Sequence, residues 1–150
     1  MHKMFVSVGT QVPFDRLIRA VDLWAEQNSD CEIFAQIGES KYQPSKIQFS
    51  RFIELDEYQH RIDWCDVMVA HAGIGAILSA LEAAKPIIIM PRRASLKEHR
   101  NEHQLATAER FAEMGKVIVA MDENELSLKL NEVQHQHRSG VPISHHASPE

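Results

Sequence analysis

The stretch from His71 to Gln104 holds the residue types and spacings best suited to chemistry. It begins His71-Ala72-Gly73-Ile74-Gly75, directly after an apolar, strand-like run and at the opening of a helix-like one. Glycines at such a turn let the backbone approach a ligand closely. The helix start offers unpaired N–H groups and a partial positive charge to a phosphate. The same pair would also serve a tight strand-to-helix turn with no ligand, and taken alone it leaves both readings standing. Glu82 follows Gly75 by two helical turns, which puts it on the same face about 10 Å further along. That is the reach from a diphosphate to a ribose, and a carboxylate can accept two hydroxyl hydrogen bonds at once. A solvated helix glutamate is the plainer alternative. Against it stand the small apolar neighbours in Ala80-Leu81-Glu82-Ala83-Ala84, among which a free charge is poorly placed. A third group, Asn101-Glu102-His103-Gln104, suits the recognition of sugar hydroxyls, although Asn and Glu are also ordinary at a helix start.

These groups need a frame that brings separate loops to one edge. Short β-type runs alternate with helical periodicity, the signature of a parallel sheet covered by helices. Phe5-Val6-Ser7-Val8 reads as the first strand and Gly9 to Pro13 as a loop. Phe14, Leu17, Ile18, Val21, Trp24 and Ala25 then share one helical face, with Pro13 tolerated at the helix start. Cys31 to Ile37 and Ile47 to Ile53 read as strands, and Glu57 to Cys65 as a short helix with Tyr58, Ile62 and Cys65 inward. Val67 to Ala70 is the fourth strand, Ala76 to Ala84 a helix, and Pro86 to Met90 a wholly apolar central strand. Arg92 to Arg100 is a basic, polar loop. Glu102 to Met114 is helical through Leu105, Ala108, Phe111 and Ala112, and Val117 to Ala120 is the last strand. Asp122 with Glu125 forms an acidic relative of the capping box, before a helix with Leu126, Leu130 and Val133 inward. In such a sheet, ligands bind at the carboxyl ends of the strands, where the His71 to Gly75 turn falls.

A length of 150 residues fits one domain with one core. A net charge of −5 argues against a nucleic-acid partner, which calls for a basic excess. Cys31 and Cys65 match no metal-ligand spacing and read as buried thiols of a reducing cytoplasm. No apolar run approaches the roughly 20 residues that span a bilayer. The N-terminus runs straight into a strand, with no room for a signal peptide, so membrane association is expected only through a partner. From His135 on, periodicity lapses, so the domain is read as 1–134 and 135–150 as a His-rich flexible tail. His135, His137, His145 and His146 make a metal site conceivable there, while Gly140, Pro142 and Pro149 favour disorder.

The His-Ala-Gly-x-Gly turn, the following helix glutamate, a small residue plus Pro before an apolar strand, and the Asn-x-His-Gln group together resemble the C-terminal domain of glycosyltransferase family 28. That family includes the MurG enzymes and has the GT-B fold. The opening Phe5-Val6-Ser7-Val8-Gly9-Thr10 matches as well, and the resemblance covers roughly residues 3–133. It is nearest to the small stand-alone members: the soluble subunit of the dolichol-linked GlcNAc transferase and the PssE/EpsF-type proteins of exopolysaccharide assembly. The resemblance implies an α/β, Rossmann-like sheet with helices on both faces, the C-terminal half of a GT-B enzyme. It implies diphosphate contacts from Gly9, Thr10, His71, Gly73 and Gly75, and a ribose contact from Glu82. The base would be held by main chain near Phe52 and Ile53, and the donor sugar by Asn101, Glu102 and Gln104. Many members carry an aspartate near the Asn-x-His-Gln group. Here the local sequence is His99-Arg100-Asn101-Glu102-His103-Gln104, which leaves open which side chain holds the sugar. Arg92, Arg93, Lys97 and Arg100 make that loop basic, either solvated or paired with a phosphate or an acidic sugar.

The implied reaction is sugar transfer from a UDP-sugar to a polyprenyl-linked acceptor in polysaccharide synthesis, with no metal and no cofactor. A membrane-anchored partner subunit would bring the acceptor site and the catalytic base, hold the chain at the cytoplasmic face of the membrane, and be required for activity. Without it, self-association through an exposed apolar patch beside the Gly9-Thr10 and 92–104 loops would be unsurprising. His71 reads as a donor to the nucleotide or a structural residue rather than a base, and His103 as a possible buried orienter. The alternative function is a non-catalytic nucleotide-sugar-binding or regulatory module. A UDP-sugar epimerase is disfavoured, because that chemistry uses a related fold of two domains.

Overall fold

The computed structural model describes residues 2–10, 12–99, 101–115 and 117–139. Strands and helices alternate: β1 (Lys3–Ser7), α1 (Asp15–Glu26), β2 (Glu32–Gln36), β3 (Gln48–Ser50), α2 (Leu55–Trp64) and β4 (Val67–His71). There follow α3 (Ile74–Glu82), β5 (Ile87–Met90), a 3-10 turn (Ala94–Leu96), α4 (His103–Phe111), β6 (Val117–Val119) and α5 (Glu123–Ser139). Every strand pair is parallel, and the sheet order is β3-β2-β1-β4-β5-β6. Val6 of β1 pairs with Ala35 on one side and Val69 on the other, so β1 and β4 form the centre where the order reverses.

The central strands are apolar on both faces because helices cover both. Alternate residues serve opposite cores. Met4, Val6, Val69, Ile88 and Met90 pack toward Leu17 and Val21 of α1 and Leu126 and Leu130 of α5. Phe5, Met68, Ala70, Ile87 and Ile89 pack toward Ile62 of α2, Ile77 and Ala80 of α3, and Ala108 of α4. Cys31 and Cys65 are buried free thiols, and burial pushes them up to about 12 and about 11.

Element bounds shift from the sequence expectation, β3 being shorter than Ile47 to Ile53, α2 starting before Glu57 and α4 ending before Met114, and three further details differ. Helix α3 starts at Ile74 rather than Ala76, which places Gly75 in its first turn. The basic loop contains a 3-10 turn held by side chains. Helix α5 runs to Ser139, through positions assigned to the tail. Its start is firmly capped: Glu125 N–H donates to Asp122 Oδ1 at 2.9 Å, and Met121 N–H donates to Glu125 Oε1 at 2.8 Å. The remaining tail positions, His145 and His146 among them, lie outside the described residues. Among the described residues no helix is long and apolar enough to cross a membrane.

Helix α3 ends in a Schellman motif. Lys85 N–H donates to Ala80 O at 2.9 Å and Ala84 N–H to Leu81 O at 3.1 Å. The left-handed position of that motif is filled by Ala84, at φ +57°.

Candidate functional site

A cleft of 490 Å³ opens at the carboxyl edge of the sheet, at the β1/β4 switch point. Gly9 and Thr10 from the loop after β1 and His71, Gly73 and Gly75 from the turn after β4 all line it. Five residues assigned to one task from separate stretches of chain therefore meet in one place. Ile53, Tyr58 and Ser79 line the side under α2 and α3, and Ser7 and Gln36 reach it from the strand ends.

The glycines have distinct reasons to be glycine. Gly9 has φ +79°, and a Cβ there would meet His71 Nε2 at 3.1 Å. A Cβ on Gly73 would stand 2.3 Å from His71 Cε1 and 2.8 Å from Nε2. Both glycines thus make room for the imidazole, a packing reason that the sequence does not disclose. Gly75 alone has open space where a Cβ would be. No side chain caps α3, and its first internal bond is Ile77 N–H to Gly73 O at 3.1 Å. The N–H groups of the first turn are left without intrahelical partners, beside the cleft-lining Gly75 and Ala76.

Side chains brace the strand ends. Gln36 Nε2 donates to Gly9 O at 2.9 Å and Arg51 O at 3.0 Å, and Arg51 Nη1 donates to Gly38 O and Ser40 O. Arg92, only 2 % exposed, donates to Val8 O at 2.6 Å, to Val12 O and to Pro13 O. Its Nη1 lies 2.9 Å from His71 Nδ1. Gln104 Nε2 lies 3.0 Å from the same nitrogen, while Gln104 Oε1 accepts from Arg92 N–H at 3.0 Å. Burial, reinforced by the charges of Arg92 and His99, pushes His71 down to about 3, so it is neutral near pH 7. Burial also draws Arg92 down to about 10, still charged near neutral pH.

Several sequence assignments move. Glu82 is exposed at the last residue of α3 and does not line the cleft. The helix descends from the carboxyl edge at about 1.5 Å per residue, so its first full turn past Gly75 still faces the cleft and its second has left it. Ser79 is the residue that remains. Gly75, Leu78 and Glu82 form the exposed face of α3, so the charge of Glu82 is well solvated despite its apolar neighbours in sequence. Ile53 lines the cleft, whereas Phe52 is 51 % exposed and does not.

The Asn-x-His-Gln group divides. Asn101 Oδ1 accepts from His103 N–H at 2.9 Å, an ordinary helix-start contact, and His103 is exposed rather than a buried orienter. Glu102 accepts from Ala94 N–H at 2.7 Å and from the Arg93 guanidinium at 3.2 Å, holding the 3-10 turn. Neither Asn101 nor Glu102 lines the cleft. Gln104 lines a smaller lobe of 220 Å³ beyond His71, with Thr10, Arg92 and His99. The basic loop is not a solvated cationic patch, since Arg92 is buried, Arg93 pairs with Glu102, and among its described Arg and Lys residues Lys97 alone is exposed.

Residues missed in the sequence are Ser7, Gln36, Tyr58 as a cleft residue, and Ser79. A polar residue closing an apolar strand, as Ser7 and Gln36 do, was the available signal. Burial raises the Tyr58 hydroxyl above its usual range, and its hydrogen bonding to Ser7 and Ser79 partly opposes that.

The model of the glycosyltransferase family 28 C-terminal domain matches residues 4–146. A UDP-N-acetylglucosamine transferase subunit ALG13 of Saccharomyces cerevisiae is 33% identical over 87 residues, 57% of this chain and 41% of that protein. A UDP-N-acetylglucosamine--N-acetylmuramyl-(pentapeptide) pyrophosphoryl-undecaprenol N-acetylglucosamine transferase of Prochlorococcus marinus is 34% identical over 77 residues, 49% of this chain and 21% of that one. The chain therefore spans well under half the length of these relatives. An NMR solution structure of ALG13 superposes with a TM-score of 0.60 at 19% identity, covering 97% of this chain and 90% of that one.

Proposed function

This chain belongs to glycosyltransferase family 28 as its C-terminal-type domain, and from that premise we propose that it binds the UDP-sugar donor of a glycosyltransferase whose acceptor site lies on another domain or subunit. The fold is the Rossmann-like half of GT-B enzymes. One observation carries the reading: Gly9, Thr10, the His71 imidazole and the uncapped start of α3 converge on one cleft at the sheet's switch point. All of these present donors or bare backbone, which suits a diphosphate and no cationic ligand. In transfer, negative charge grows on the departing UDP, and fixed N–H donors stabilise it without reorganising. Ile53 and Tyr58, which line the cleft, are the side chains proposed to wall the base, and Ser79, one turn past Gly75, the one proposed to meet a ribose hydroxyl.

The acceptor is proposed to be a polyprenyl-linked sugar, on the strength of the undecaprenol acceptor in the name of the Prochlorococcus relative and of the family resemblance. The relatives' names speak of N-acetylglucosamine transfer and not of exopolysaccharide assembly, so that pathway is dropped. A membrane-anchored partner would hold the chain at the cytoplasmic face and supply the base, since His71 is occupied at Nδ1 by two donors. The partner would dock on the cleft's apolar margins, where Leu55 is 81 %, Ile74 55 % and Leu78 49 % exposed. Leu55 belongs to α2 and lines the cleft that Gly9 and Thr10 share, Ile74 and Leu78 belong to α3, and only Leu96 belongs to the 92–104 loop.

Thermal-shift and calorimetric titration with UDP, ADP, GDP and UDP-N-acetylglucosamine tests the donor reading. Uridine nucleotides should stabilise the chain well above the others. Equal shifts for all four would overturn it.

A further inference from the structure

We infer that Arg92 is a positioning residue that locks His71 as the Nε2–H tautomer, so that a buried guanidinium strengthens anion binding in the cleft without touching the anion. The lock stands on hydrogen-bond geometry, while the anion-binding role presupposes the diphosphate reading of the cleft.

The geometry leaves the imidazole little choice. A guanidinium has donors only, so Arg92 Nη1 at 2.9 Å must donate to His71 Nδ1. Gln104 is oriented by its own carbonyl, which accepts from Arg92 N–H at 3.0 Å. Its NH₂ group therefore faces Nδ1, at 3.0 Å. Two donors converging on Nδ1 require a bare lone pair there, and the ring proton goes to Nε2. That nitrogen lies in the gap between Gly9 and Gly73, the two loops that line the cleft.

The charge behind the ring is the second half of the device. The other partners of Arg92 are the carbonyls of Val8, Val12 and Pro13. None of its hydrogen-bond partners among the described residues is a carboxylate. Glu98, the acid nearest in influence, is bound by Arg16 at 2.8 and 2.9 Å and by Arg93 N–H at 3.0 Å. A buried cation without a counter-ion is costly, and the cost falls when an anion arrives nearby. Donation into Nδ1 polarises the ring, so Nε2–H becomes a stronger donor to that anion. The ionisable groups facing His71 are Arg92, at the end of β5, and His99, from the turn that follows. Gln104 on α4, Gly9 after β1 and Gly73 before α3 are neutral. Nothing facing the ring favours its protonation, and the donor is the same at every pH near neutrality.

Long-range ¹H–¹⁵N spectra of the histidines test this in the full chain, with and without UDP. His71 should show a protonated Nε2 and a bare Nδ1, unchanged between pH about 5.5 and 7.5. In Arg92→Gln, burial still holds the ring low but the guanidinium no longer adds to it, so His71 should titrate at a higher pH than in wild type and lose its fixed Nε2–H tautomer. Its UDP affinity should then tighten a few-fold more than that of wild type as pH falls through about 5.5, as a charged donor begins to replace a neutral one. Arg92→Lys should keep the non-titrating ring. Because Arg92 also ties three carbonyls of the loop after β1, Gln104→Leu gives a second variant that keeps the guanidinium and should keep the tautomer. A wild-type His71 that carries its proton on Nδ1, or titrates near its usual value while UDP binds, overturns the lock. The expected tautomer in a protein that ignores UDP overturns the anion-binding role and the donor reading, and leaves the lock standing.

Discussion

His71 ties the site to the stability of the fold. Its folded value of about 3 lies below the ordinary 6.5 or so of an unfolded chain. Between those values the unfolded chain holds a proton that the native one refuses. The stabilisation is therefore complete above pH about 6.5 and is lost as pH falls toward 3. By pH 5 the loss approaches about 2 kcal/mol, reduced by whatever water in the cleft screens. Urea denaturation at two pH values should show a smaller acid loss in His71→Gln than in wild type, and an identical loss would refute the assignment. The ribose contact is a second question at this scale. Ser79→Ala should weaken UDP binding several-fold, the worth of one neutral hydrogen bond, while Glu82→Ala leaves it unchanged. Calorimetry showing the reverse pattern would return the ribose to Glu82. The two positions differ by three residues on one helix, and both suit a face argument from spacing. What spacing does not carry is where the nine-residue helix leaves the sheet edge, and that decides between them.

The elements legible in sequence were those whose burial is two-sided or periodic. Ile87–Met90 and Val67–Ala70 could be nothing but inner strands, and the spacing of Leu17, Val21, Trp24 and Ala25 announced α1. The Arg92 to Arg100 stretch reads in sequence only as a basic loop, solvated or paired with a phosphate or an acidic sugar, because composition reports charge and not partners. Arg93, Glu98 and Glu102 make up a network joined across the chain to Arg16, while Arg92 ties to Val8, His71 and Gln104, all at sequence distances that no local pattern encodes. Ala84 offers a test at this scale. Its left-handed conformation costs an L-residue about 1–2 kcal/mol, which glycine avoids at a smaller price in unfolded-state entropy. Ala84→Gly should stabilise the domain by roughly 0.5–1 kcal/mol and raise its Tm by about 1–4 °C. A lower Tm in calorimetry would mean that the Schellman turn after α3 does not form as described.

At the scale of the molecule, the proposed donor reading makes the chain one half of a reaction chamber. Under that reading the donor would lie at the carboxyl edge, where His71, engaged at Nδ1 by Arg92 and Gln104, offers no free base toward an acceptor. Leu55, Ile74 and Leu78 stand exposed on the two sides of the cleft, with Phe52 close by in sequence. Large exposed apolar side chains gathered at one site suit the partner surface proposed above. The purified chain should therefore bind UDP-sugar yet transfer none of it to a polyprenyl diphosphate-linked acceptor, and adding the acceptor-binding subunit should restore turnover. Leu78→Arg separates the two functions. It lies outside the cleft lining, so UDP binding should be unchanged, whereas a charge buried without a partner at the docking face should cost several kcal/mol of association and abolish the restored turnover. Robust transfer by the isolated chain would show that the acceptor half is not missing. Full restoration by Leu78→Arg would move the docking face elsewhere on the molecule.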